Sequence, residues 1–104
     1  MSFGGRKQPE TRFKEKVAAD LKKLGPLIWF EKIQQFGKVG TPDFLLCING
    51  HFAALELKKT AKENPKPLQT HKLNRIKKAR GHAFVAHPDN WNEILAEIID
   101  LATL

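Results

Sequence analysis

Two acidic residues and a lysine stand at spacings that could hold a divalent metal ion beside a water molecule. Asp43 precedes one apolar run, and Glu56 and Lys58 end the next apolar run. Carboxylate oxygens are the hard ligands that Mg²⁺ and Mn²⁺ prefer. An amine beside a metal-bound water can orient that water or help to deprotonate it. Together these side chains form the minimum set for metal-assisted hydrolysis of a phosphodiester.

The residues between the two acids predict a β-hairpin that would bring them together. Asn49-Gly50 separates two apolar runs, and a two-residue type I′ turn needs positive φ at both central positions, which Asn and Gly tolerate. If these two residues form the loop, Asp43 lies directly opposite Glu56, with Cβ atoms roughly 4.5–5.5 Å apart. Lys58 lies two residues past Glu56 and therefore projects from the same face of the sheet.

Two carboxylates held this close repel each other and destabilise the hairpin. A divalent cation bound between Asp43 and Glu56 would offset that repulsion, and we therefore expect one or two Mg²⁺ or Mn²⁺ ions here. The alternative interpretation is a structural salt bridge between Glu56 and Lys58 on an ordinary sheet.

Hydrophobic periodicity predicts the order α-β-β-β-α-β-α, which is an α/β fold. We expect a flexible basic arm over residues 1–8 and a single domain over 9–104. The predicted helices cover 9–24, 68–80 and 91–101, and the predicted strands cover 27–35, 44–48, 51–57 and 82–87. Gly81 is the expected stop of the second helix. Both faces of the hairpin are apolar, so we expect a sheet covered on both sides and a buried, reduced Cys47.

Two further polar residues fall on the inner sides of the predicted helices. Glu10 lies near the middle of the apolar stripe of the first helix, where an acid is costly unless it caps, pairs or binds metal. It is either a first-turn residue favoured by the helix dipole or a further acid of the metal site. Gln69 shares the side of Leu73 and Ile76, and it is either a buried amide bonded to the backbone or a site residue near Lys58.

The net charge of +7, from 18 Lys+Arg against 11 Asp+Glu, favours a polyanionic partner, with nucleic acid ahead of anionic lipid. No apolar run approaches the roughly 20 residues of a membrane span, and the start lacks the apolar region of a secretory signal. We expect an intracellular protein, in the cytoplasm of a bacterial or phage-infected cell or associated with the nucleoid. The residues expected to contact DNA phosphates are Arg6, Lys7, Lys38, Lys59, Lys62, Lys66, Lys72 and Arg75.

Three segments together resemble the PD-(D/E)xK nuclease superfamily, and most closely its virus-type replication-repair (VRR-NUC) group, in which short stand-alone members are common. They are Gly40-Thr41-Pro42-Asp43, Glu56-Leu57-Lys58 and Leu68-Gln69. Glu-x-Lys alone is a weak signal, and it gains weight from the predicted register and the flanking helices. The resemblance runs from Glu10 to the last helix. It implies a restriction-endonuclease-like fold, with an αβββαβ core, a mixed sheet flanked by helices and a C-terminal helix.

The resemblance also implies an activity, a Mg²⁺- or Mn²⁺-dependent endonuclease that hydrolyses phosphodiester bonds of DNA in replication, repair or recombination. Some relatives act on branched DNA such as Holliday junctions. The implied metal ligands are Asp43, Glu56, the backbone carbonyl of Leu57 and Glu10. Lys58 would position the water, and Gln69 would be the catalytic-site glutamine of the second helix.

Alternatives to this activity remain open. A non-catalytic DNA-binding module that keeps the nuclease fold is the main one, and a nuclease acting on RNA is another.

Because a domain of 104 residues covers little of a duplex, a two-fold dimer that cuts both strands is also expected.

Overall fold

Within the residues that the structure describes, the chain folds into a four-stranded mixed sheet with helices on both faces. The computed structural model describes residues 9–33 and 40–104. Along the chain the elements are α1 (Pro9–Lys22), a 3₁₀ turn (Gly25–Leu27), β1 (Ile28–Lys32), β2 (Phe44–Ile48), β3 (His51–Leu57), α2 (Pro67–Lys78), β4 (His82–Ala86) and α3 (Trp91–Ala102). This order confirms the predicted α/β arrangement. The predicted arm over residues 1–8 and the predicted DNA-contacting residue Lys38 lie outside the described residues.

The β2–β3 hairpin has the predicted register. Asn49-Gly50 has φ values of 47° and 87°, so both central positions of the turn lie in the left-handed region, as a type I′ turn requires. At the other end of the hairpin Phe44 pairs with Leu55. One residue further along, the same register sets Asp43 opposite Glu56.

The strand order is β1-β2-β3-β4. The first three strands are antiparallel neighbours, whereas β3 and β4 run parallel and are connected through α2. A parallel neighbour needs such a crossover. As a result the end of β3, the start of β2 and the start of α2 meet at one edge of the sheet, where the predicted site residues are located.

One face of the sheet carries the main core, beneath α1 and α3. Phe13 of α1 and Trp91 of α3 make an edge-to-face contact with ring centroids 6.4 Å apart. The Trp91 indole N–H also donates a 2.8 Å hydrogen bond to Asp20 Oδ2, which joins the two helices. Val17 and Ile98 are fully buried in the same cluster. These contacts fix α1 against the sheet, so the helix presents its first turns to the site in one orientation.

The opposite face is only partly covered, which corrects two predictions. Helix α2 packs on β3 and β4, and the row Trp29, Cys47 and Phe52, which crosses β1, β2 and the beginning of β3, remains accessible. Trp29 is 57% exposed and Phe52 47%, and Cys47 is exposed rather than buried. The apolar alternation identified the two faces of the hairpin correctly, but it carries no information about how far a helix reaches across a face.

The ends of several elements differ from their predicted positions. Helix α1 ends two residues early because a 3₁₀ turn at Gly25–Leu27 intervenes before β1. Strand β1 ends at Lys32, short of the predicted 35, and residues 34 and 35 lie outside the described part of the chain. Strand β4 ends at Ala86 and α3 continues to Ala102, each one residue from its predicted end.

The end of α2 has a different cap from the one expected. Arg80, not Gly81, adopts positive φ, at 74°, and the Gly81 N–H bonds to the Ile76 carbonyl at 2.9 Å, as in a Schellman motif. Position 81 requires glycine for a different reason, because a side chain there would be too close to its neighbours. A Cβ there would lie 2.9 Å from Ile76 Cγ2 and 3.1 Å from Phe52 Cδ2. Within the described residues, none of the helices has the length and apolar character of a membrane span.

Candidate active site

The predicted site residues from the hairpin line one cleft. Asp43, Glu56 and Lys58 surround a space of about 260 Å³ that is closed on one side by α1 and bordered by the loop after β3. Gly40 permits this arrangement, because its φ is 86° and a Cβ would lie 3.0 Å from Leu68 Cγ. The turn before β2 can therefore lie against the start of α2, which directs Asp43 into the cleft.

The two oxygens of Asp43 have different partners. Oδ2 accepts a 2.7 Å hydrogen bond from the Leu57 backbone N–H, so the neighbouring strand fixes the orientation of the carboxylate. Oδ1 lies 3.1 Å from Lys14 Nζ of α1. With one oxygen held by β3, the carboxylate turns its other oxygen toward the cleft and the helix.

Glu56 is a buried acid, with 3% of its surface exposed. Its pKa is raised from 4.5 to about 7, first by burial and then by the charge of Asp43, and Lys58 only partly opposes this rise. A hydrogen bond with Asp43 contributes in the same direction. The two carboxyl groups therefore interact across the hairpin, as the register requires.

Lys58 and Gln69 form a network around the Glu56 carboxylate. Lys58 Nζ lies 3.2 Å from Glu56 Oε2 and donates to Gln69 Oε1 at 2.9 Å. Gln69 Nε2 donates to Glu56 Oε2 at 2.6 Å. The amide oxygen also accepts from the Lys66 backbone N–H at 2.9 Å. Both sequence-based interpretations of Gln69 therefore hold, because its amide bonds to a backbone N–H and also to Lys58 and Glu56.

The donor chemistry of the cleft fits a hard divalent cation. Asp43 and Glu56 supply carboxylates in a partly buried place where burial and the charge of Asp43 disfavour the charged form of Glu56, and a cation would favour that form. Mg²⁺ is commonly held by only one or two carboxylates, with water and phosphate completing its shell. Among the described side chains, no three His, Cys, Asp or Glu gather as a metal-binding group. Glu10 belongs to α1, but its side chain is not among those described.

Two charged residues that line the cleft, Lys14 and Glu63, were not predicted as site residues from the sequence. Lys14 lies four residues after Glu10 in α1, and because residues four apart share one side of a helix, that spacing could have identified it. Glu63 lines the cleft from the loop, where its Oε1 accepts a 2.9 Å hydrogen bond from the Lys59 N–H. That bond, with the charges of neighbouring lysines, lowers the pKa of Glu63. An irregular loop gives no periodicity from which this position could be found.

The predicted DNA-contacting residues divide between two places. Lys59 lines the cleft itself, and Lys62 and Lys66 are exposed on the loop beside it. Lys72 is half-buried on α2, and Arg75 lines a separate basic groove of about 570 Å³ along that helix. Arg6, Lys7 and Lys38 lie outside the described residues.

Comparison with known proteins identifies the fold. No family model and no curated protein matches the sequence. A solved structure described as a VRR_NUC domain is similar with a TM-score of 0.73 and 23% sequence identity. The similarity covers 90% of this chain and 97% of that chain. At this identity the comparison establishes the architecture, which confirms the restriction-endonuclease-like prediction. The chain has the fold of a VRR_NUC domain.

Proposed function

We propose that this chain is a divalent-metal-dependent deoxyribonuclease that cuts DNA internally by hydrolysing phosphodiester bonds. The observation that carries the proposal is the burial of Glu56, whose carboxylate is held by Lys58 and Gln69 while it faces a second acid, Asp43. A structural salt bridge would need only Glu56 and Lys58. A facing Asp43 adds repulsion that raises the pKa of Glu56, and this cost is understandable if both acids serve a ligand.

The ion would be held by the Asp43 and Glu56 carboxylates and the Leu57 backbone carbonyl, with Glu10 as a further acid. When bound, such an ion polarises the phosphate and lowers the pKa of a water molecule. Gln69 is a positioning residue in this proposal. It bridges Glu56 and Lys58, so it holds the metal-binding acid and the lysine at a constant separation.

Lys58 is the residue that acts on the attacking water. Its side chain is 9% exposed and its ammonium group is fixed by two partners. A cation held in this way can orient a water molecule for in-line attack and stabilise the negative charge that develops on the phosphate. Because Glu56 and Gln69 already hold the Lys58 ammonium group in place, this group needs to move little during the reaction.

The positive charge around the cleft supports DNA as the substrate. Lys59, Lys62 and Lys66 follow the site along one loop, and their contacts would be to phosphates, which position a duplex without reading its sequence. We extend the proposal to branched DNA as a substrate, on the basis of the family resemblance. We also propose a homodimer, because a domain of this size covers little of a duplex. Its main rival is a DNA-binding module without catalysis.

A cleavage assay tests the proposal. Supercoiled plasmid and labelled linear, nicked, flap and four-way DNA are incubated with the protein in Mg²⁺, Mn²⁺ or EDTA. The proposal predicts cutting in either ion and none in EDTA, and loss of cutting in Glu56→Gln, which keeps the size of the side chain. Binding of these DNAs without metal-dependent cutting would favour the rival, and cutting by Glu56→Gln would refute the assigned site.

A further inference from the structure

Lys14 forms an ion pair across the cleft, from α1 to the hairpin. Its Nζ lies 3.1 Å from Asp43 Oδ1, and its side chain is 37% exposed. The adjacent Phe13 is buried and packs edge-on against Trp91, so the backbone at position 14 is firmly placed. Lys16 offers a contrast, because it pairs with Asp20 on its own helix and is 62% exposed.

Lys14 contacts the Asp43 oxygen that the Leu57 N–H does not hold, and an ion in the cleft would draw on the same carboxylate. Asp43 Oδ2 is held by the Leu57 N–H, and Oδ1 therefore faces the cleft. An ammonium group and a divalent cation carry charge of the same sign, so they repel each other at one carboxylate oxygen. Lys14 and the ion must compete for Asp43.

Once it leaves Asp43, Lys14 remains in a cleft suited to phosphate. A lysine has a flexible stem and three donors on a compact charge, so its ammonium group can move while α1 stays in place. Lys58 lacks this freedom, because Glu56 and Gln69 hold it and only 9% of its side chain is exposed. Lys59 lines the same cleft, which adds to the attraction for an anion.

We propose that Lys14 is a second phosphate-binding lysine of this site, one that neutralises Asp43 in the free protein and transfers to a DNA phosphate when a divalent ion binds. The inference rests on the proposed function. It makes DNA binding and ion binding mutually supportive, because the ion releases a cation that the DNA then uses.

Lys14→Met tests the inference, with Lys16→Met as the matched control on the same helix. Calorimetric titration of Mn²⁺ without DNA should show an affinity about 3- to 10-fold tighter in Lys14→Met, because the competing ammonium is gone, and no change in Lys16→Met. An unchanged or weaker Mn²⁺ affinity in Lys14→Met would overturn the inference.

DNA binding gives a second readout that a purely structural lysine would not affect in the same way. With Ca²⁺, another hard cation with oxygen ligands, Lys14→Met should bind a short duplex about 3- to 10-fold more weakly than the parent protein. In EDTA the two should bind nearly alike, since Lys14 then stays on Asp43. Lys14→Arg keeps the charge and should retain the Ca²⁺-dependent binding. An equal loss with and without the ion would overturn the inference.

The same titrations separate this inference from the proposed function. If Asp43→Ala binds Mn²⁺ as well as the parent protein does, the metal site is wrong and both proposals fail. If Asp43→Ala loses Mn²⁺ binding while Lys14→Met behaves like Lys16→Met, the inference alone fails.

Discussion

Replacing Asp43 with asparagine should stabilise the metal-free protein, because it removes one of the two facing acids. The pKa of Glu56 rises from 4.5 to about 7, and one pKa unit corresponds to about 1.4 kcal/mol, so ionising Glu56 in the folded protein costs roughly 3 kcal/mol. Burial is the largest cause and the Asp43 charge the second. The charge of Asp43 is therefore only part of this cost, and we expect Asp43→Asn to gain on the order of 1 kcal/mol.

The sign of the pH dependence follows from the direction of the pKa shift. The folded protein holds a proton on Glu56 more tightly than the unfolded chain does, so stability falls as pH rises from about 4.5 to about 7 and then levels off. The gain in the free energy of unfolding from Asp43→Asn should appear above this pH window and disappear below it. Asp43→Asn also loses the partly exposed ion pair with Lys14, which costs about 0–1 kcal/mol. The decisive quantity is therefore how much the effect on the free energy of unfolding differs between a pH above this window and a pH near its lower end.

Urea denaturation in EDTA, at about pH 8 and about pH 5, measures this difference. Asp20→Asn is a suitable control, because the hydrogen bond from Trp91 lowers the pKa of Asp20 and that carboxylate stabilises the fold when charged. Both pH values lie above 3.8, so the control should lose the same stability at each, whereas Asp43→Asn should gain stability only at the higher pH. If Asp43→Asn gained no more at pH 8 than at pH 5, the two acids would not repel each other and the reasoning would be refuted.

Four other substitutions test the chemistry at Lys58, the packing at Gly81 and the DNA-contacting surface. Lys58→Met should lower the single-turnover rate of DNA cleavage by about 10²-fold or more with an unchanged circular dichroism spectrum; a rate near that of the parent protein would exclude Lys58 from the chemistry. Gly81→Ala should cost about 1–3 kcal/mol in urea denaturation, because its Cβ would lie 2.9 Å from Ile76 Cγ2; an unchanged midpoint would contradict that packing. Lys62→Gln and Arg75→Gln should each reduce the slope of log affinity for DNA against log salt by about one, and a slope equal to that of the parent would remove the residue from the interface.

The part of the site that could be predicted from the sequence is the part set by local geometry. The Asn49-Gly50 turn admits one tight hairpin, and side chains alternate along each strand. The opposition of Asp43 and Glu56 follows from those two facts alone. Gln69 could be found as well, because its spacing from the apolar residues of α2 turned it toward the sheet.

The rest depends on contacts between distant segments. The exposure of Cys47 depends on where α2 packs on the sheet, which the alternation of β2 does not encode. Lys14 reaches Asp43 only because α1 is docked through Phe13 and Trp91. The cap of α2 was missed for another reason, since glycine is the usual residue at positive φ and here Arg80 takes that position.

The central claim, that Asp43 and Glu56 jointly hold a divalent ion, is tested most directly by anomalous diffraction from crystals of the protein soaked in Mn²⁺. We expect a manganese peak within ligand distance of both carboxylates and of the Leu57 carbonyl, and no such peak in crystals of Asp43→Asn. A protein whose crystals take up Mn²⁺ elsewhere, or show no peak between these two acids, would contradict it.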